Sequence, residues 1–161
     1  MPESGAFLQR THLEGARLDG ARLEGASLTA SHLEHATLGG ARLKDAILIE
    51  ANLEGANLKM ADLRGAYLST AKMAGAKLGE SQLNTAILMG ADLRHTDLSN
   101  GNLQGAVLSG ADLAGANLQN ADLRGVVGLS AAQICAAANA HQTQLDDSLA
   151  TEVSARCSAN R

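Results

Sequence analysis

Residues 51–65 read ANLEGANLKMADLRG, three successive five-residue units in which a small residue and a leucine recur at fixed positions. The same spacing extends from Leu8 to Leu123, where 23 of the 24 central positions are leucine and the other is Met73. Two residues before the central position the residue is alanine in 19 units, and two residues after it the residue is glycine in 12 units. A five-residue repeat therefore covers residues 6–125.

Neither an α-helix nor a flat strand can bury this pattern. In a helix, residues five apart are rotated by about 500°, which distributes the leucines over the whole surface, and in a strand they alternate between faces. A coil that turns by about 90° with every unit directs the alanine and the leucine of each unit inward. Glycine at the last position suits corners that need a positive φ. The repeat predicts a four-sided solenoid in which each unit forms one side of a coil.

Units such as residues 51–55, 61–65 and 111–115 resemble the A(D/N)LxG repeat of the pentapeptide-repeat family. The resemblance implies an all-β solenoid, a right-handed quadrilateral parallel β-helix with four units per coil and about six coils over residues 6–125. Coils stacked at the strand spacing give a rod about 30 Å long. Residues 1–5 are then an N-terminal extension, and residues 126–161 are predicted to form a C-terminal helical cap.

The composition restricts the classes of function. The chain has 161 residues, a formal net charge of −4, one Tyr, one Phe and no Trp. Acidic and basic residues are interspersed, so nucleic-acid binding is not expected. No apolar run reaches the roughly 20 residues of a membrane span, and the first residues lack the features of a signal peptide. Because a leader could have been removed before residue 1, the compartment stays open.

Apolar residues collect on one side of the predicted coil. Because every fourth unit lies on the same side, the residues before the central leucine sort into four columns, and one column contains Phe7, Ser27, Ile47, Tyr67, Ile87 and Val107. The same side carries two apolar residues after the leucine, so the candidate partner surface consists of Ile47, Ile49, Tyr67, Ile87, Met89 and Val107. Two interpretations are open. These side chains stabilise a parallel ladder by stacking, or they form a contact surface.

Histidines and acidic residues are the candidates for site chemistry. We expect His12 and His32 to stack in adjacent coils beside Glu14 and Glu34, which makes a surface metal site geometrically conceivable. Since a structural metal site usually has four ligands and some shielding, we predict a solvated column with no metal and no cofactor. A core filled by Ala and Leu leaves no room for a catalytic triad with oxyanion donors, so an enzyme is not predicted.

The family resemblance raises a second function. Some pentapeptide-repeat proteins imitate the acidic rod of duplex DNA and act on type II topoisomerases such as gyrase. Imitation needs a strong negative field, because DNA carries one charge per about 1.7 Å, whereas residues 6–125 contain 13 acidic and 11 basic residues. An acidic streak is nevertheless present: Asp92 and Asp112, and the stacked Glu14, Glu34 and Glu54. We expect a non-enzymatic module that presents flat faces to a protein partner, with a DNA-mimicking modulator of gyrase as the alternative.

A helical hairpin is predicted after the repeats. Ser130 and Gln133 have the spacing of a capping box that opens a helix to about His141. The apolar edge of this helix consists of Ile134 and Ala138. Residues 142–146 have the character of a turn. A second helix from about Asp147 carries three residues at helical spacing on one side: Leu149, Val153 and Cys157.

Cys135 and Cys157 are the only cysteines, one on each predicted helix. Two interpretations are open. Either both thiols are reduced in a cytoplasmic protein, or a bridge closes a loop of about 22 residues and stabilises this segment by about 3 kcal/mol. Lumenal and secreted family members resemble this arrangement, which favours the disulfide and, with it, a periplasmic, lumenal or secreted location.

The N-terminal end of the predicted rod has no evident cover, because only five residues precede the first repeat. An open coil end exposes unpaired backbone groups and core side chains, which promotes association between edges. A homodimer is therefore predicted, either through this end, where Phe7 lies, or through the apolar side.

Overall fold

The computed structural model describes residues 5–140 and 142–158, which form stacked coils followed by two helices. Parallel β-bridges join each unit to the unit four places later in the sequence, from Phe7↔Ser27 to Val107↔Val127. Each strand is a single bridge residue, and one such residue occurs in every unit. The bridges form four columns, and each side of the coil is named here after the first residue of its column: face 1 for Phe7, face 2 for His12, face 3 for Arg17 and face 4 for Arg22.

Backbone hydrogen bonds repeat in every unit. The amide before the central leucine donates to the carbonyl of the small inward residue of the preceding coil, as from Tyr67 to Ala46 (2.9 Å). The amide of the leucine itself donates to the following coil, as from Leu68 to Ile87 (2.7 Å), and a bond from Ala71 back to Leu68 closes the turn (3.1 Å). Because donors and acceptors alternate between the two neighbouring coils, each coil needs one coil above it and one below it.

Alanine and leucine fill the axis of the coils. From Ala26 to Leu123 the inward Ala and Leu side chains are at most 3% exposed. Within this range, three inward positions carry a hydroxyl instead of alanine: Ser31, Ser81 and Thr96. Each hydroxyl donates to the leucine carbonyl three residues earlier, at 2.7, 2.6 and 2.7 Å respectively. The core therefore accepts these polar groups because each one is hydrogen-bonded within its own turn.

Every corner of the regular coils has a left-handed backbone. The last residue of each unit from Arg10 to Gly125 has a positive φ, and half of these corner positions are occupied by glycine. The other half carry side chains and have φ between 53° and 61°. The prediction that corner glycines serve a positive φ is confirmed, and the geometry is also imposed on non-glycine side chains that adopt it at a cost.

Helix α1 is shorter than predicted. It spans Ala131–Ala136, with Ser130 as N-cap and the predicted capping box to Gln133. The Gln133 side chain also donates to the carbonyl of Ala111 (2.8 Å), which joins α1 to the last regular coil. The prediction of a helix to about residue 141 is wrong, and His141 itself lies outside the described residues.

The residues after α1 leave the helix because the last regular coil has backbone groups that need partners. The amide of Ala138 donates to the carbonyl of Ala116 (2.8 Å), so Ala138 lies outside the helix instead of on its apolar edge. Two bridges continue the parallel pairing with a slightly longer sequence spacing than in the regular coils: Asn117↔Asn139 and Asp122↔Gln144. The predicted turn at residues 142–146 therefore contains a pairing position, and α1 takes the place of one side of a further, irregular coil.

Helix α2 spans Asp147–Ser158 and begins where the sequence predicts. Within it Leu149, Val153 and Cys157 are half-buried, while the other residues from Asp147 to Arg156 are exposed. Cys157 forms a disulfide with Cys135, and the two Cα atoms are 5.4 Å apart. The bridge therefore fastens α2 to α1. Neither α1 nor α2, nor any other described segment, is a helix long and apolar enough to cross a membrane.

The two ends of the coil stack differ in cover. The inward leucines of the first coil, Leu8, Leu13, Leu18 and Leu23, are only half-buried, whereas those of later coils are fully buried. At the other end, residues 126–140 and 142–145 and the two helices lie beyond the last regular coil, and Ile134 of α1 is fully buried. The described residues leave the N-terminal end of the stack uncovered.

Candidate protein-interaction surface

Face 1 carries the apolar stripe that the sequence analysis singles out. The stripe runs through consecutive bridges and has two further members at the position after the leucine: Ile47, Tyr67, Ile87 and Val107, with Ile49 and Met89. Tyr67 is 43% exposed and Met89 is 48% exposed, while the three isoleucines and Val107 are half-buried. The side chains therefore lie along one flat side, close to one another and accessible to solvent.

The stripe continues one step beyond the predicted set. Val127 bridges Val107 and is 56% exposed. The residue was not included in the candidate surface because the five-residue pattern stops after Gly125. The signal was present in the sequence, since Val127 lies one full coil after Val107 and thus in the same column. Val127 lengthens the surface toward the C-terminal segment.

The C-terminal part of face 1 carries no charge. Residues 66–70, 86–90, 106–110 and 126–130 contain no Asp, Glu, Lys, Arg or His, and the corners before these segments are also neutral. The preceding segment differs, because it begins after Asp45 and ends at Glu50. A partner that covers the C-terminal part of face 1 would therefore desolvate apolar and neutral polar groups without burying an ion.

On faces 2 and 4, several acidic side chains are paired with arginines. Arg94 on face 2 donates two hydrogen bonds to Asp92 (2.8 and 2.6 Å), and its Nε lies 3.8 Å from Asp112. These hydrogen bonds lower the pKa of Asp92. On face 4, the hydrogen bonds from Arg124 lower the pKa of Asp122 to about 2. The predicted acidic streak at Asp92 and Asp112 is therefore countered by the arginine between them.

The histidine column on face 2 has the predicted arrangement. The rings of His12 and His32 are stacked, with centroids 4.7 Å apart and planes 7° from parallel. His12 Nδ1 lies 2.8 Å from Glu14 Oε1, and His32 Nδ1 lies 3.1 Å from Glu34 Oε1. The hydrogen bond and charge of Glu14 raise the pKa of His12, and the pKa of Glu14 is lowered in return. Each imidazole is thus oriented by a carboxylate in its own five-residue unit.

Two other histidines occupy corners that do not meet. His35 and His95 have φ of 57° and 56° and lie three coils apart on the same edge. Each ring lies over the glycine of the next coil, Gly55 and Gly115 respectively, where a Cβ would collide with it. Their arrangement serves corner packing, because the ring takes the space that the glycine leaves empty.

Comparisons with known proteins agree with this architecture. A family model described as pentapeptide repeats matches in 8 copies, at residues 6–45, 26–65, 46–84 and 86–125. A comparison with curated proteins gives no match. Among solved structures, the chain is similar to HetL, a pentapeptide repeat protein involved in heterocyst differentiation regulation from the cyanobacterium Nostoc. The sequences are 28% identical over 86% of this chain and 73% of that chain, with a TM-score of 0.45.

Two further structures are similar over most of their length. A pentapeptide repeat protein from the thylakoid lumen of Arabidopsis thaliana is 26% identical over 72% of this chain and 70% of that chain, with a TM-score of 0.36. QnrB1, a plasmid-mediated fluoroquinolone resistance protein, is 18% identical over 87% of this chain and 84% of that chain, with a TM-score of 0.37. Because the family model matches more than half of the chain, this protein belongs to the pentapeptide repeat family, whose members are right-handed quadrilateral β-helices.

Proposed function

We propose that this protein is a non-enzymatic interaction module that binds a protein partner through face 1. The observation that carries the proposal is the concentration of accessible apolar side chains on one side of the coil stack, whose C-terminal part carries no charge. Contiguous exposed apolar patches usually mark interaction sites. The side chains of Tyr67, Ile87 and Met89 lie near the middle of the stripe, so they are the expected anchors of the contact.

The dimensions of the stripe indicate its role within such a contact. Ile47 and Val127 are separated by four coil steps, which corresponds to about 19 Å at the strand spacing. The stripe is two residues wide, or about 7 Å along the strand direction, so its area is on the order of 130 Å². A stable interface buries about 800 Å² per partner. The apolar stripe is therefore the core of a larger contact whose rim is polar.

A second copy of the chain is one partner that fits this surface. A homodimer through face 1 would bury the exposed Tyr67 and Met89. A homodimer through the N-terminal end, which residues 5–140 and 142–158 leave uncovered, would bury the half-buried leucines of the first coil. Sedimentation of the purified protein at rising concentration distinguishes the two kinds of partner. A concentration-dependent dimer supports self-association, whereas a persistent monomer leaves a different protein as the partner of face 1.

The test of the proposal compares matched lysine substitutions. Tyr67→Lys and Ile87→Lys place a charge in the stripe, and Gln82→Lys places the same charge at the equivalent position of face 4, where the side chain is also exposed. Affinity capture from the source organism is expected to lose its partner with the two face 1 variants and to keep it with Gln82→Lys. Circular dichroism would show that all three variants are folded. Unchanged capture with both face 1 variants would return the stripe to a packing role.

The alternative function, a DNA-mimicking modulator of a type II topoisomerase, has less support. It needs a continuous negative surface, and the pairing of Arg94 with Asp92 and Asp112 interrupts the acidic streak. A supercoiling assay with gyrase separates the two functions. Inhibition or protection of gyrase at micromolar protein would favour the alternative, and an unchanged supercoiling rate is expected.

We also propose that the protein acts in an oxidising compartment. The bridge between Cys135 and Cys157 supports this location, because structural disulfides persist in periplasmic, lumenal and extracellular spaces and are rare in the cytoplasm. Thiol titration of protein purified from its natural source, under denaturing conditions without reductant, tests the proposal. No free thiol is expected, and two free thiols per chain would contradict it.

A further inference from the structure

Whereas the sequence favours a column without metal here, we propose that His12, Glu14 and His32 form a binding site for a divalent transition-metal ion of the Zn²⁺ type. One nitrogen of each imidazole and one oxygen of Glu14 all lie within 4.8 Å of one another. The site belongs to the first two coils of face 2, on a different side of the stack from the apolar stripe. The inference therefore stands independently of the proposed partner surface.

The backbone brings the two imidazoles together without any special loop. His12 and His32 are bridge partners, so their side chains leave adjacent parallel strands in the same direction. The rings consequently stack with a centroid separation of 4.7 Å and planes 7° from parallel. Because the strand spacing fixes this separation at about 4.8 Å, the fold itself brings the two imidazoles next to each other.

The distances are close to those of a coordinated ion. Two ligands bound tetrahedrally to Zn²⁺ at about 2.0–2.1 Å are separated by about 3.4 Å. His12 Nδ1 and Glu14 Oε1 are 2.8 Å apart, so they need to separate by about half an ångström to admit the ion. Because an imidazole nitrogen binds a metal in the plane of its ring, the two nearly parallel rings must rotate out of their stack to direct one nitrogen each at the same ion. Side chains that are accessible to solvent have room for such χ rotations. Three protein ligands leave a fourth position for water.

A second layer of contacts holds His32 in place. Glu34 Oε1 lies 3.1 Å from His32 Nδ1 and also accepts a hydrogen bond from the Asn52 side chain (2.6 Å). A carboxylate on the second nitrogen of a metal-binding histidine fixes its tautomer and raises its basicity. The other oxygen, Glu34 Oε2, is buried and has no hydrogen-bond partner among the described residues.

The ligand types select the class of metal. Two imidazoles and a carboxylate suit Zn²⁺, Ni²⁺ or Cu²⁺, whereas Mg²⁺ and Ca²⁺ prefer sites made only of oxygen. Glu14 and Glu34 also contribute two negative charges beside imidazoles that bind metal in the neutral form. The site thus offers a charge of −2 to an ion of +2.

Metal binding would act on the weakest part of the stack. His12 and Glu14 belong to the first coil, whose inward leucines are only half-buried, and His32 belongs to the second coil, whose leucines are fully buried. An ion that joins the two coils stabilises the folded first coil, because a ligand that binds only the folded state shifts the unfolding equilibrium. We expect slower amide exchange in residues 6–25 when Zn²⁺ is bound.

The experiment measures Zn²⁺ binding by isothermal titration calorimetry on the full chain without a histidine tag. His32→Asn removes one ligand, and it is compatible with the fold because Asn52 occupies the next position of the same column. His95→Asn is the matched control, because asparagine also occupies corner positions in this chain, as at Asn100 and Asn120. Mg²⁺ at equal concentration serves as the control for metal class.

We expect one Zn²⁺ per chain at micromolar concentration, an affinity at least 10-fold weaker for His32→Asn and for Glu14→Gln, and no change for His95→Asn. The melting temperature of the wild type is expected to rise with Zn²⁺ and not with Mg²⁺, and the rise should disappear in His32→Asn. The proposal is overturned if saturable binding by the wild type requires more than about 1 mM Zn²⁺, or if His32→Asn retains the wild-type affinity. Either result would reduce the stacked imidazoles to a side-chain ladder.

Discussion

Leucine-to-alanine substitutions at two levels of one column test the difference between the ends and the middle of the coil stack. Leu13 and Leu53 are both inward residues of face 2, two coils apart. Leu53 is fully buried, with Leu33 before it and Met73 after it in the column, whereas Leu13 is half-buried in the first coil. The two substitutions remove the same atoms, so the difference in free energy of unfolding reports their surroundings alone.

The expected magnitudes follow from burial. Leu53→Ala leaves a closed cavity between two neighbouring coils and should lower the free energy of unfolding by about 3–5 kcal/mol. Leu13→Ala opens onto solvent and leaves no closed cavity, so only the transfer of a half-buried side chain is lost. Since full burial of a leucine contributes about 1.5–3 kcal/mol, we expect a loss of about 1 kcal/mol at Leu13.

Urea denaturation followed by circular dichroism measures the loss of free energy of unfolding in both variants. The slope of each transition shows whether the folded and unfolded states expose the same surface as in the wild type. Equal losses at Leu13 and Leu53, with unchanged slopes, would refute the conclusion that the first coil is uncovered. In that case sedimentation at the same protein concentration should reveal a dimer that buries the N-terminal end. A monomer with equal losses would instead require a cover from another part of the chain.

Three further outcomes are expected. Thr85 is a β-branched residue at φ 57°, so Thr85→Gly should raise the free energy of unfolding by about 0.5–1 kcal/mol, as measured by urea denaturation. The substitution relieves left-handed strain, and the greater flexibility of glycine in the unfolded chain offsets part of that gain. A lower free energy of unfolding would show that no such strain exists. Arg124 lowers the pKa of the Asp122 carboxyl to about 2, so the contribution of this pair to stability is present above about pH 4 and is lost as the pH falls toward 2. Asp122→Asn should remove this part of the dependence of the free energy of unfolding on pH. An unchanged pH dependence would contradict the pairing. Reduction of the Cys135–Cys157 bridge should release α2 while the coils persist. Amide exchange should then become faster in residues 147–158 and change little in residues 26–125. Faster exchange in both regions would mean that the coils depend on the bridge.

The side chains of the repeat could be placed from the sequence because the pattern determines the geometry. A leucine at the centre of every unit has one arrangement that buries all the leucines together, and the four columns then follow for every outer residue. The stacking of His12 on His32 and the alignment of Tyr67 with Ile87 are both consequences of this register. Prediction was accurate here because each residue has the same relation to its neighbours in every coil.

The C-terminal segment could not be placed in the same way because local and tertiary preferences conflict there. The sequence from Ala131 to Ala140 is rich in alanine, which favours a helix throughout. The structure ends α1 at Ala136, because backbone groups of the preceding coil offer hydrogen bonds to Ala138 and Asn139. Unpaired backbone groups at the edge of a coil outweigh a helix propensity of a few tenths of a kcal/mol per residue. Sequence patterns within a segment do not contain this information.

The corners show a third relation between sequence and structure. Glycine at half of the corners indicates a positive φ, yet the same backbone occurs at corners occupied by Thr70, His95 or Glu80. Each such residue is held by two hydrogen-bonded coils, so the cost of its conformation is covered by the cooperative stack. Residues of many types thus occupy the corners and outer positions of this chain without loss of the fold. A concentration of apolar residues on face 1, or of imidazoles and carboxylates at one end of face 2, is therefore not required by the coil, and these are the places where a binding function is to be sought.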